Sequence, residues 1–193
     1  MKSILMSIQP KWVEKIISGE KTIEVRKTAP KKVPFKVYVY CTYGRGKGKS
    51  ALYIDAYGKV SRKANGVKWI NGKVIGEFVV RNIESFSEWQ HDYPSLLRHI
   101  DLYAGTEGDY AFLNNYLKGK KHGYAWHISD LKIYDEPKEL REFFKPCLNK
   151  QRDCANCAFA LLNPFDDGKA VDCGLFRVTR PPQSYMWIQE AND

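Results

Sequence analysis

Apolar and polar positions change period several times along the first eighty residues, and each change marks an element. Residues 3–8, "SILMSI", form an apolar run of strand length. "QPKWVEKIISG" (9–19) switches to a helical period: Trp12, Val13, Ile16 and Ile17 make one stripe, Pro10 suits a first helical turn, and Gly19 is a natural stop. "KTIEVRK" (21–27) has period two, with Ile23 and Val25 on one face of a strand and Thr22, Glu24 and Arg26 on the other. "FKVYVYCTY" (35–43) and "KVIGEFVVRNIESF" (73–86) are strong strands, rich in β-branched and aromatic residues. Between them, residues 44–73 carry glycines and basic residues, and only "ALYIDAYG" has an ordered pattern.

The middle of the chain returns to helical spacing. "SEWQHDYPSLLRHI" opens on a serine and restarts at Pro94, and "EGDYAFLNNYLKGKK" sets Tyr110, Leu113 and Leu117 on one stripe. "GYAWHISDLKIYD" predicts another strand, and "EPKELREFF" a short charged helix. "GLFRVTRPPQSYMWIQE" closes as a strand, a Pro-Pro turn and a further strand. Strands and helices do not alternate regularly, which excludes a doubly wound sheet. The expectation is an α+β fold: a mixed β-barrel or half-barrel with inserted helices. Residues 1–144 would form this domain, 145–175 a small cysteine-rich appendage, and 176–193 closing strands that return to the barrel.

Composition narrows the partners. With 44% hydrophobic and 27% charged residues in 193, the chain has the balance of a folded domain. Its net charge of +9 and pI near 9.2 favour polyanionic partners such as nucleic acid. No segment approaches the run of roughly 18 apolar residues that spans a bilayer, and "MKSILMSIQPKW" lacks a signal-peptide core. A cytoplasmic location with no membrane partner follows as the expectation, in which the five cysteines serve as thiols or metal ligands rather than disulfides.

"GRGKGKS" (44–50) superficially suggests a phosphate loop, but the spacing from its first glycine to the Gly-Lys-Ser is one residue short and no clear helix follows. What remains is a basic segment. Arg45, Lys47, Lys49, Arg62 and Lys63 are suited to phosphates, and the interleaved Tyr43, Tyr53, Tyr57 and Trp69 to stacked bases. A solvated insertion is the alternative. Cys147, Cys154, Cys157 and Cys173 have the spacing C-x6-C-x2-C-x15-C. A C-x2-C turn brings two thiolates to one centre and two more complete a tetrahedron, so a structural zinc ion is the first reading. An iron–sulfur cluster or ordinary thiols are the others. Cys41, inside a Val/Tyr strand, reads as a buried thiol. His91, His99, His122 and His127 form no catalytic pattern, and His127 reads as a packed strand residue.

The remaining signal is G-x-K-x-x-E-x-R after a helix: Gly19, Lys21, Glu24 and Arg26. With "SIQPKWVEKIISGEKTIEVRK" (7–27), "GKVIGEFVV" (72–80) and "HISDLKIYD" (127–135), the chain resembles the ASCH family, a PUA-like branch linked to RNA and modified nucleosides. The closing "RPPQSYMWI" and the cysteine segment are similar to the tail of phage-type members. The resemblance implies a cleft between the first helix, the K-x-x-E-x-R strand and the middle helices, with Gln9, Trp12, Lys21, Glu24, Arg26 and Tyr110 as ligand-binding residues. "AGTEGDY" is similar to an A-x-x-E-G segment of the family and adds Glu107 as a second carboxylate. Some small relatives are amidohydrolases of acetylated cytidine that use a Lys, a Thr and a Glu, and Glu24 stands where they have the Thr. Three readings of the trio stay open. It recognises RNA or a modified nucleoside, with Trp12, Tyr110 or Trp126 as a stacking face. It catalyses hydrolysis, amidohydrolase-like or ribonuclease-like, through Lys21, Glu24 and Glu107. Or it is an ion-pair network that only fixes the barrel.

Overall fold

The computed structural model describes residues 1–44, 51–55, 57, 59–62, 68–87, 110–120, 122–146 and 177–189. Strand β1 (Lys2–Ile8) runs parallel to β3 (Phe35–Cys41), and helix α1 (Pro10–Ile17) followed by the short strand β2 (Ile23–Arg26) lies between them in sequence. A parallel pair needs a crossover, and α1 with β2 supplies it. Strand β3 pairs antiparallel with β7 (Val74–Ser87), β7 with β8 (His122–Lys138), and β8 with β2. Strand β9 (Tyr185–Ile188) adds antiparallel to the outer side of β1. The resulting sheet has the order β2-β8-β7-β3-β1-β9.

This sheet is not closed into a barrel, which corrects the fuller barrel expected above. β2 and β9 are its two edges and share no backbone ladder. The sheet nevertheless curls far enough for β2 to reach β1 and the residues before β9 through side chains: Arg26 bonds both the Ser7 carbonyl and Ser184. Irregular registers between β7 and β8, at Val74/Gly76, Glu77/Val79 and Val80/Ile83, accompany that curvature, since bulges add local twist and bend. An open seam with polar walls is the consequence.

Alternation along the strands divides the core. Ile4, Met6 and Ile8 of β1 and Phe35, Val37, Val39 and Cys41 of β3 face inward with Trp126 and the buried side of α1, Val13 and Ile16. Leu5, Tyr38 and Tyr40 face outward, where Phe143, Val178 and Ile188 cover them. Helix α2 (Tyr110–Leu117) lays Leu113 and Leu117 over Ile23, Val25, Phe86 and Ala125. No helix among the described residues is long and apolar enough to cross a membrane.

Three local expectations change. The segment 136–144 is not a helix: β8 continues through Pro137 to Lys138, and only a 3-10 turn, Leu140–Glu142, follows. Pro137 disfavours helical geometry at Glu136, and Lys138 is claimed by pairing with Val74. The described part of 51–73 is more than one ordered patch. β4 (Tyr53–Ile54), β5 (Val60–Ser61) and β6 (Lys68–Trp69) form a second sheet of order β5-β4-β6. Residues 177–184 lie outside any named strand, and Arg177 forms an isolated β-bridge to Phe144. The expected helix at 87–100 falls, beyond Ser87, outside the described residues.

Candidate functional site

Local folding delivers the charged trio. α1 begins at Pro10 with Gln9 in extended conformation and ends at Ile17, capped by Ser18. Gly19 then takes a left-handed φ of 77°, a geometry that penalises residues with a Cβ, and turns the chain back so that the Lys21 N–H donates to the Lys15 carbonyl at 2.9 Å. Lys21 is thereby positioned just ahead of β2. From there alternation sends Ile23 and Val25 under α2 and leaves Glu24 and Arg26 facing the seam.

All three charges are buried: Lys21 is 4% exposed, Glu24 6% and Arg26 7%. Lys21 Nζ donates to the Ile23 carbonyl at 2.7 Å and lies 3.3 Å from Glu24 Oε2, as an ion pair rather than an aligned hydrogen bond. Glu24 Oε1 is 3.0 Å from Arg26 Nη2, which also donates to the Ser7 carbonyl at 3.0 Å. Arg26 Nη1 reaches Ser184 Oγ at 3.3 Å. Ser7 in turn donates to the Pro182 carbonyl at 2.6 Å, tying the segment before β9 to the same seam. Two buried polar atoms of the trio, Glu24 Oε2 and Arg26 Nε, have no hydrogen-bond partner among the described residues. Burial pushes the Lys21 ammonium below its ordinary range, against the raising pull of Glu24. Burial also pushes the Tyr116 phenol up, with Arg26 opposing and Glu24 adding to the rise.

Around the trio opens a cleft of about 410 Å³. Gln9 and Trp12, Thr42 and Tyr43, and Leu113 and Tyr116 of α2 line it with the trio. Lys21 Nζ sits 5.3 Å from the Trp12 ring centroid, a cation–π distance. Gln9, Trp12, Lys21, Glu24 and Arg26 thus converge on one cavity. Tyr110 begins α2, and its side chain lies outside what is described. So do Glu107, Arg45, Lys47, Lys49, Lys63 and the cysteines Cys147, Cys154, Cys157 and Cys173. Among the described residues no cluster of His, Cys, Asp and Glu has metal-binding geometry. Arg62 is exposed and paired with Glu14 of α1 at 2.6 Å. His127 faces Glu84 at 2.9 Å and does not line the cleft. Trp126 cannot stack a ligand: it is fully buried, edge-on to Phe35 and Tyr185 at 5.3 and 5.1 Å. Cys41 is buried, and the same burial pushes its thiol up to about 12.

Sequence reasoning missed Tyr116, Ser7, Gln183 and Ser184. Tyr116 lies three residues after Leu113, so its helical spacing was a usable signal. Nothing local marks Ser184, which meets Arg26 across 158 positions.

Among curated proteins, none matches the chain by sequence. In structure it is similar to the crystal structure of ASCH from Zymomonas mobilis, with a TM-score of 0.54 and 17% identity over 97% of this chain and 88% of that one. Two single-substitution variants of that protein, one tyrosine to phenylalanine and one serine to alanine, are similar at TM-scores of 0.53. Their identities are 16% and 15%, over 98% and 97% of this chain and 91% and 89% of theirs. At these identities the likeness bears on the fold. The model of the ASCH domain matches residues 6–160, most of the chain. The chain belongs to the ASCH domain family, whose PUA-like domains are associated with RNA binding.

Proposed function

We propose that the cleft recognises a nucleobase, in RNA or in a modified nucleoside. One observation carries this reading: Arg26 Nε, a donor with no hydrogen-bond partner among the described residues, and Glu24 Oε2, an acceptor met by Lys21 as an ion pair at 3.3 Å, are buried on the same face of β2 in residues that line an open cavity. A buried polar atom left without a partner costs about 1–3 kcal/mol, and more when it is charged. A ligand that supplies both partners removes the cost. The edge of a base offers a donor beside an acceptor in one plane, and the aromatic rings of Trp12 and Tyr116 suit its faces. A cavity of about 410 Å³ falls within the roughly 300–1,000 Å³ common for small-ligand sites. The trio carries one net positive charge, which favours a ligand edge rich in acceptors.

Phosphates belong to the same proposal through Arg45, Lys47, Lys49, Arg62 and Lys63. The exposed Arg62–Glu14 pair contributes about 0–1 kcal/mol and exchanges readily for a phosphate. Affinity for RNA is then expected to fall steeply with salt. For the cysteine-rich segment 145–175 we propose a structural zinc ion held by Cys147, Cys154, Cys157 and Cys173, in a protein of the cytoplasm.

Hydrolysis of a modified nucleoside is the second reading, favoured by the lowered Lys21 pKa, because a desolvated amine is a better base and nucleophile at neutral pH. Calorimetry and product analysis on a panel of modified cytidines and adenosines separate the two. Recognition predicts binding without turnover, weakened about 10- to 150-fold in Glu24→Gln, as for a lost hydrogen bond to a charged group. Turnover abolished by Lys21→Ala while binding persists establishes hydrolysis instead. A panel and RNA that neither bind nor react defeat both.

A further inference from the structure

We infer that the cleft takes its base from a single-stranded RNA, and that an adjoining base of that strand stacks on an aromatic platform formed by Tyr43 and Trp69. This rests on the nucleobase reading above and adds a second contact outside the cavity. Tyr43 lines the cleft, yet 64% of it is exposed. Its ring lies edge-on to Trp69, with centroids 6.1 Å apart and planes at 69°. Trp69 belongs to β6 of the small sheet, does not line the cleft, and is 52% exposed.

Hydrogen bonds and close packing anchor the platform. Trp69 Nε1 donates to Asn71 Oδ1 at 2.8 Å, and the same oxygen accepts the Leu52 N–H at 2.7 Å. Asn71 Nδ2 donates to the Thr42 carbonyl at 3.0 Å, and Thr42 is itself a cleft residue. Asn71 is buried, so one polar hub joins the cavity wall to the platform. Tyr43 is constrained from the other side: its ring lies where a Cβ on Gly72 would stand, and Gly72 has a left-handed φ of 82°. Two anchored ring surfaces, one of them on the cleft lining, are thus left in water.

Charge identifies the occupant. Lys68 and Lys73 bracket Trp69 and Gly72 in sequence and pair at the surface with Glu136 and Glu139. Such exposed pairs are weak enough to yield to phosphates. In a chain of net charge +9 this combination of lysines and pinned aromatic faces suits the backbone and bases of a nucleic acid. The strand must be single, because a base seated in the cleft has left its helix and the next base needs an open face to stack on.

Fluorescence anisotropy tests this with the full chain, a labelled single-stranded RNA of about ten nucleotides, and whichever nucleoside binds in the panel. Trp69→Ala is expected to weaken RNA binding about 5- to 150-fold, the range for one lost base stack, and to leave nucleoside affinity unchanged. Glu24→Gln is expected to weaken both. Unchanged RNA affinity in Trp69→Ala overturns the inference while leaving the nucleobase reading intact, as does a duplex that binds as tightly as the single strand. If Glu24→Gln affects neither ligand, the nucleobase reading fails and the inference falls with it. Should Trp69→Ala disturb the small sheet, photocrosslinking of the unaltered protein to a 4-thiouridine oligonucleotide decides. An adduct on the peptide carrying Trp69 supports the platform, and adducts confined to other peptides overturn it.

Discussion

Replacing Glu24 with Gln keeps the side chain's shape and removes the one negative charge lying between Lys21, at 3.3 Å, and Arg26, at 3.0 Å. With an effective dielectric near 20, each contact represents about 5 kcal/mol of attraction. The carboxylate's own desolvation offsets much of this, and breaking a buried pair by removing one partner costs about 3–5 kcal/mol net. In a domain of this size each kcal/mol moves the melting temperature by about 2–4 °C, so a fall of roughly 6–20 °C is expected. The loss also has a pH signature. The folded pKa of Lys21 lies below its unfolded value of 10.5, so in the window between them the unfolded chain binds more protons and stability rises with pH. Glu24 is the main influence raising the Lys21 pKa; without it the pKa drops further and the window opens downward. The deficit of Glu24→Gln relative to wild type is therefore largest below the lowered Lys21 pKa of the variant and shrinks as pH rises towards the unfolded value of 10.5. Adding Lys21→Met should remove that recovery. Denaturant unfolding across this pH range measures both quantities. A deficit below about 1 kcal/mol, or one that does not change with pH, refutes the buried ion-pair account.

Cys41, with its thiol pushed up to about 12, should resist alkylation at mildly basic pH in the native protein and react once denatured; peptide mapping by mass spectrometry reads this, and rapid native labelling would contradict its burial. Gly72→Ala forces a Cβ into the Tyr43 ring at a left-handed φ, so a loss of about 1–2 kcal/mol by thermal melting is expected, together with weaker RNA binding. Purified protein should carry about one zinc ion per chain, lost on chelation with the melting of the main sheet preserved; elemental analysis finding no metal would return the four cysteines to ordinary thiols.

Local pattern determined much of what matters here. The helical stripe of α1, the stop at Gly19 and the alternation of 21–27 depend only on neighbours in sequence, and they suffice to put Glu24 and Arg26 on one strand face, with Lys21 just before it. The same pattern separates the inward and outward sides of β1 and β3. It is silent on what covers each side. That Ile23 and Val25 lie under α2 while Glu24 and Arg26 face a seam depends on a sheet whose edges curl together without pairing. The partners of Arg26 come from Ser7 and Ser184, and no periodicity connects residues 158 apart. Trp126 and Trp69 show the same division. Both sit in strands, yet one is sealed between Phe35 and Tyr185 and the other stands half in water beside Tyr43. Strands of two residues, such as β4 to β6, are too short to display any period, so their sheet exists only through long-range pairing and the Asn71 hub. Sequence decides which side chains share a face; burial and chemistry are decided by what the rest of the chain brings against that face.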